Sequence, residues 1–156
     1  MGETRIRAEE ESRGKVSLIY WDSMLFVYML EGHPTYGPAA NRILDHMIRR
    51  SDTLCTSVFS AGEVLAGPRR RDSRVEADMI KRFFMGDTVK ILPFTLETAD
   101  RFALIRATNK VSPADAIHLA TAAEAGVDLF FTNDNSLRKL SIPGIKFFAD
   151  LDGKMI

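Results

Sequence analysis

Along the chain, short runs of apolar and β-branched residues alternate with longer stretches of helical period. The short runs are Val16 to Trp21, Thr53 to Ser57, Thr88 to Leu92, Val127 to Thr132 and Ile145 to Phe148. Continuous apolar runs, rather than strict apolar/polar alternation, are what strands buried on both faces of a parallel sheet require. Between them Ala40, Ile43, Leu44, Met47 and Ile48 recur at helical spacing, as do Val75, Met79 and Phe83, and then Ala116, Leu119, Ala120 and Ala123. These positions predict the core-facing stripes of linking helices. Gly32, Pro34, Gly37 and Pro38 separate the first two helices, while Pro93, Gly126, Pro143 and Gly144 flank strands. Five strands joined by helices predict an α/β domain.

The length, 156 residues, suits one core, and we expect a single domain over residues 15–156 preceded by an extension at residues 1–14. That extension mixes Glu3, Glu9, Glu10 and Glu11 with Arg5, Arg7 and Arg13 and has few large apolar groups. Hydrophobic residues make up 46% and charged residues 27%, which excludes a disordered chain. Twenty-one basic and 21 acidic residues cancel, so any nucleic-acid binding has to come from a local patch. Cys55 is the single cysteine, which excludes an internal disulfide and multi-thiolate zinc sites; its apolar neighbours mark it as buried filler. The longest hydrophobic stretch, Val16 to Leu30, is too short for a membrane span and is bisected by Asp22, so the expected location is cytoplasmic.

In an open parallel sheet, ligands bind beyond the carboxyl ends of the strands, and four acids fall at such places. Asp22 follows the first strand, Glu63 opens the helix after the second, Asp115 sits in the helix start Ser112-Pro113-Ala114-Asp115, and Asp134 follows the run ending at Thr132. Each also has a capping explanation. Asp22 and Asp134 are N-caps by position, and Ser60 with Glu63, or Ser112 with Asp115, have the spacing of a capping box. Capping asks for an acid in a first turn, whereas a cation site asks for several carboxylates around one rim. Carboxylates gathered there repel unless a cation lies among them, and all-oxygen donors favour Mg²⁺ or Mn²⁺ over zinc. Such an ion activates water and offsets phosphate charge, so the implied chemistry is phosphodiester hydrolysis.

Four segments together resemble the PIN domains, and among them the VapC-type toxins of toxin-antitoxin pairs. They are Tyr20-Trp21-Asp22-Ser23, Thr56-Ser57 through Glu63-Val64-Leu65-Ala66-Gly67, Ser112-Pro113-Ala114-Asp115-Ala116-Ile117-His118-Leu119-Ala120, and Thr132-Asn133-Asp134. The acids lie at intervals of 41, 52 and 19 residues. The resemblance implies a three-layer fold with a central five-stranded parallel sheet, and a metal-dependent endoribonuclease in which Asp22, Glu63, Asp115 and Asp134 hold Mg²⁺ or Mn²⁺. It further implies Ser23 and Thr132 as hydrogen-bonding neighbours, a homodimer, and a small cognate antitoxin. The extension before Lys15 departs from the family pattern, in which the first strand begins almost at the N-terminus.

The remaining features have weaker warrants. Arg69, Arg70, Arg71 and Arg74 are candidates for holding RNA phosphates, with a solvated face as the alternative. Asn133 beside Asp134 is a candidate for touching the cation's water or the substrate, although turn chemistry explains it equally. His118 falls one turn after Asp115, yet its apolar neighbours favour a partly buried histidine with a local partner over a general base. Competing functions are a PIN-like RNA- or protein-binding module without catalysis, and a phosphoacceptor signalling domain. The latter wants adjacent acids after the first strand and a lysine after the last; Asp22-Ser23 and Phe147-Phe148-Ala149 stand there instead.

Overall fold

A parallel strand cannot follow its neighbour through a tight turn, so each return to the sheet runs through helix. The computed structural model describes residues 16–152, and the extension expected at residues 1–14 lies outside the described residues. Within them the strands are β1 (Leu18–Trp21), β2 (Thr53–Ser57), β3 (Lys90–Leu92), β4 (Leu129–Phe131) and β5 (Phe147–Ala149). The helices are α1 (Ser23–Leu30), α2 (Tyr36–Arg50), α3 (Val58–Arg70), α4 (Arg74–Met85), α5 (Leu96–Thr108), α6 (Pro113–Ala125) and α7 (Asn135–Arg138). The fold is therefore α/β, as expected. Most strands are shorter than their apolar runs, and β5 starts later than predicted because Ile145 closes a turn through its amide onto the Ile142 carbonyl.

The sheet order is β3-β2-β1-β4-β5 and every neighbouring pair is parallel. The chain adds strands outward from β1 on one side, then returns to add β4 and β5 on the other. The order thus reverses between β1 and β4, the position at which helices diverge to opposite faces and leave a crevice at the strands' carboxyl ends.

Alternation along the strands divides the core into two layers. Ile19, Trp21, Leu54 and Phe131 face one side with Phe26, Met47, Val64 and Phe84 from α1 to α4. Tyr20, Cys55, Phe130 and Phe148 face the other with Ile105 of α5 and Leu119 and Ala123 of α6. The burial expected for Cys55 and for the α6 stripe is found.

The stripe expected on α4 is corrected. The helix buries Ala77, Ile80 and Phe84, leaving Val75 71% and Met79 59% exposed. Both faces of α4 carry apolar groups; Phe84 of the buried face meets Phe26 at a centroid distance of 5.1 Å, and of the expected stripe Phe83 stays half-buried, its ring 6.1 Å from Phe26. Ile48 at the end of α2 is likewise exposed, whereas Ala40 and Met47 are buried. Among the described residues no helix is long and apolar enough to cross a membrane.

Candidate active site

The crevice at the switch point takes its acids from four separate elements. The Asp22 amide donates to the Phe131 carbonyl at 3.2 Å, which sets the exits of β1 and β4 side by side. Asp22 then caps α1 by accepting from the Met24 amide at 3.1 Å. Beyond β4, Thr132 Oγ1 accepts from the Asp134 amide, and Asp134 caps α7 by accepting from both the amide and the hydroxyl of Ser136. Both acids expected to cap do so, and both also line the pocket described below.

Glu63 does not belong to a capping box. Ser57, not Ser60, is the N-cap of α3, because the helix begins as soon as β2 ends; Ser57 Oγ accepts from the Ser60 amide. Glu63 therefore sits in the second turn, past the backbone amides that a cap would satisfy. Ser112 caps α6 by accepting from the Asp115 amide at 3.1 Å, with Pro113 at the first helical position. That leaves the Asp115 carboxylate without a hydrogen bond or ion pair among the described residues.

These acids line a single pocket of about 340 Å³, together with Ser23, Asn133 and His118. No lysine or arginine lines it. A larger cavity of about 830 Å³ lies at the other end of the sheet, where Ser17, Asp52, Asp128 and Lys146 precede their strands. None of the four acids reaches that cavity, so its size does not make it the better site.

Electrostatics separate the carboxylates. Burial lifts Asp22 above the usual carboxylate range, outweighing the hydrogen bonds it receives from Thr132 and the Met24 and Leu25 amides and the nearby His118. Burial pushes Glu63 the same way, but its hydrogen bond and charge interaction with His118 and a hydrogen bond with Ser23 prevail and hold it low. The hydrogen bonds from Ser136 keep Asp134 low as well. Ser23 and Thr132, expected as neighbours of the site, thus touch Glu63 and Asp22 respectively.

His118 is 4% exposed and partnered, as expected of a buried histidine, but its partners lie far away in sequence rather than locally. Its Nε2 lies 2.5 Å from Glu63 Oε1 and its Nδ1 lies 2.7 Å from the Tyr20 hydroxyl. The link to Glu63, 55 residues away in sequence, was not read from the sequence. The arginine run stays outside the pocket. Arg69 and Arg70 end α3 in solvent, Arg71 is held by Glu31 and Glu76, and Arg74 opens α4.

Among the described residues no three Asp, Glu, His or Cys side chains stand close enough to form a ready-made cage. The four acids ring the pocket instead of converging. Such an arrangement fits Mg²⁺ or Mn²⁺, because these ions keep several waters and are held through one or two carboxylates, and the pocket has room for that shell. The negative charge collected there has no lysine or arginine against it, and burial already works against ionised Asp22.

A PIN domain family model matches residues 19–143. This chain belongs to the PIN domain family. Solved structures share the PIN fold at low sequence identity. VapBC2 from Rickettsia felis, bound to a DNA fragment from their promoter, matches with a TM-score of 0.69 and 14% identity, over 85% of this chain and 98% of that one. A toxin-antitoxin complex from Klebsiella pneumoniae gives 0.61 and 19%, over 81% and 94%. VapC20 from Mycobacterium tuberculosis, a toxin that cleaves the sarcin-ricin loop, gives 0.63 and 17%, over 79% and 96%. No curated protein matches the sequence.

Proposed function

We propose that this PIN domain is a metal-dependent endoribonuclease acting as the toxin of a toxin-antitoxin pair. The observation that carries the reading is the pocket at the switch point, where Asp22, Glu63, Asp115 and Asp134 arrive from four separate elements with no lysine or arginine among them. Capping accounts for Asp22 and Asp134 but not for Glu63, and it leaves the Asp115 carboxylate unused. Membership of a family whose domains are generally nucleases supports the same reading. So does the likeness to toxin-antitoxin structures. The absence of a pocket lysine disfavours the phosphoacceptor alternative.

In this reading Asp22, Glu63, Asp115 and Asp134 hold one or two Mg²⁺ or Mn²⁺ ions. Such a cation, when bound, lowers the pKa of water and offsets charge on phosphate oxygens. The protein's residues do the positioning. Thr132 and Ser23 orient Asp22 and Glu63, Asn133 faces the substrate from the loop after β4, and Arg69, Arg70 and Arg74 track the RNA backbone outside the pocket. A small antitoxin, a homodimer and a cytoplasmic location complete the proposal.

Its test is digestion of total cellular RNA by the purified protein with Mg²⁺, Mn²⁺ or EDTA, run beside Asp115→Asn. Discrete fragments that need metal and vanish in the variant are expected. Equal silence of both proteins with either metal sinks the nuclease reading.

A further inference from the structure

We propose that His118 is a positioning residue whose imidazole, keyed by the Tyr20 hydroxyl, clamps Glu63 and holds three of the four carboxylate-bearing elements in register. This rests on the reading of the pocket as a cation site. The imidazole is almost fully buried, where an unsatisfied ring nitrogen is costly, and both nitrogens are partnered across long stretches of chain. Nδ1 meets Tyr20 of β1 over a separation of 98 residues and Ser60 of α3, at 3.3 Å, over 58. Nε2 meets Glu63 of α3 over a separation of 55 residues.

Each partner stands next to a carboxylate. Tyr20 precedes Asp22 by two residues on β1, Ser60 precedes Glu63 on α3, and Asp115 precedes His118 by one turn on α6. One rigid ring therefore joins the elements that carry Asp22, Glu63 and Asp115. The chemistry also fixes which group donates to Glu63. The carboxylate only accepts, so Nε2 carries a proton and donates to it, while the Tyr20 hydroxyl, able to donate or accept, meets Nδ1. Thr56 Oγ1, 2.8 Å from the Trp21 carbonyl and 2.6 Å from Ser60 Oγ, ties this network back to β1. Phe59 packs on the ring at a centroid distance of 5.4 Å and restrains its tilt. A glutamate left alone samples many rotamers, and one hydrogen bond to a fixed donor selects among them.

The experiment measures Mn²⁺ affinity by calorimetry on the EDTA-stripped 156-residue chain, well below its melting temperature, for wild type, Tyr20→Phe, His118→Gln and His118→Leu. Melting curves and the ¹⁵N shifts of the imidazole accompany it. Tyr20→Phe keeps the ring and removes only the keying hydroxyl, so it remains informative if a His118 variant does not fold. Loss of a partner to a ligating group typically weakens metal binding about 10- to 100-fold, the range expected for His118→Leu; Tyr20→Phe, which removes only the group that keys His118, should weaken it by a smaller but measurable factor. Glutamine presents an amide donor near the reach of Nε2, so His118→Gln should stay within about fivefold of wild type. The ¹⁵N shifts should report the Nε2–H tautomer. Wild-type affinity in both Tyr20→Phe and His118→Leu, or the Nδ1–H tautomer, overturns the clamp alone. No Mn²⁺ binding by wild type overturns the reading of the pocket and the clamp with it.

Discussion

The Asp22 amide donates to the Phe131 carbonyl across the β1/β4 pair, so the two strands leave the sheet together and deliver Asp22 and Asp134 to the same crevice. The reversal of strand order at that point opens the crevice. Consequences for Asp22 follow directly.

Because burial raises the Asp22 carboxyl, ionising it opposes folding: the metal-free protein loses stability as pH rises from the ordinary carboxylate range through the raised value. Asparagine caps a helix as well as aspartate does. Asp22→Asn is therefore expected to melt higher than wild type in EDTA at neutral pH, by about 2–4 °C for each kcal/mol relieved, and to flatten the decline with pH. It should also lose most of the rise in melting temperature that Mn²⁺ gives wild type. An unchanged or lower melting temperature in EDTA would show that the buried carboxylate does not oppose folding.

Arg70 stands seven residues beyond Glu63 on α3, about 10 Å along the axis, within reach of a strand of RNA lying across the pocket. Arg70→Ala should weaken binding of single-stranded RNA and reduce the slope of log K against log salt by about 0.7, leaving Mn²⁺ affinity unchanged. Arg71, already paired with Glu31 and Glu76, should contribute less to that slope. Anisotropy titrations over a salt series check both; an unchanged slope for Arg70→Ala removes the run from the interface.

Two glycines should respond in opposite directions. Gly144 has φ +100° and a Cβ there would lie 2.4 Å from the Ala123 carbonyl oxygen, so Gly144→Ala combines backbone strain with a backbone clash and should cost about 2–4 kcal/mol. Gly62 is exposed within α3 with open space around it, and Gly62→Ala should add about 0.5–1 kcal/mol. Urea denaturation of the two variants decides.

Cys55 is fully buried in β2, and that burial pushes its thiol up to about 12. Since the thiolate is the reactive form, native protein should leave Ellman's reagent almost uncoloured at pH 8, with full reaction only on unfolding. Rapid reaction of the folded protein would show that β2 opens far more readily than its packing implies.

Much of this was legible in the sequence, for reasons that are local. The strands are short β-rich apolar runs, the helix starts carry Ser112, Asp22 and Asp134, and the helix ends carry residues such as Gly126, which adopts φ +69° at the close of α6. Capping, turn chemistry and periodicity act within a turn or two of chain, so the residues that satisfy them are neighbours in sequence. The placing of acids after strands was legible for the same reason. Other features depended on what each element meets. Val75, Met79 and Phe83 form as good an apolar stripe as Ala77, Ile80 and Phe84, and only packing against the core buried the second while leaving Val75 and Met79 in solvent. Whether Ser57 or Ser60 capped α3 depended on where β2 stopped pairing. The meeting of Tyr20, Glu63 and His118 required α3 and α6, which flank the sheet on different sides, to converge at the carboxyl end of β1. The sequence by itself determined the elements and the order of the acids along them. The tertiary structure alone decided which faces were buried and that four distant acids share one pocket, because those outcomes are set by packing between segments tens of residues apart.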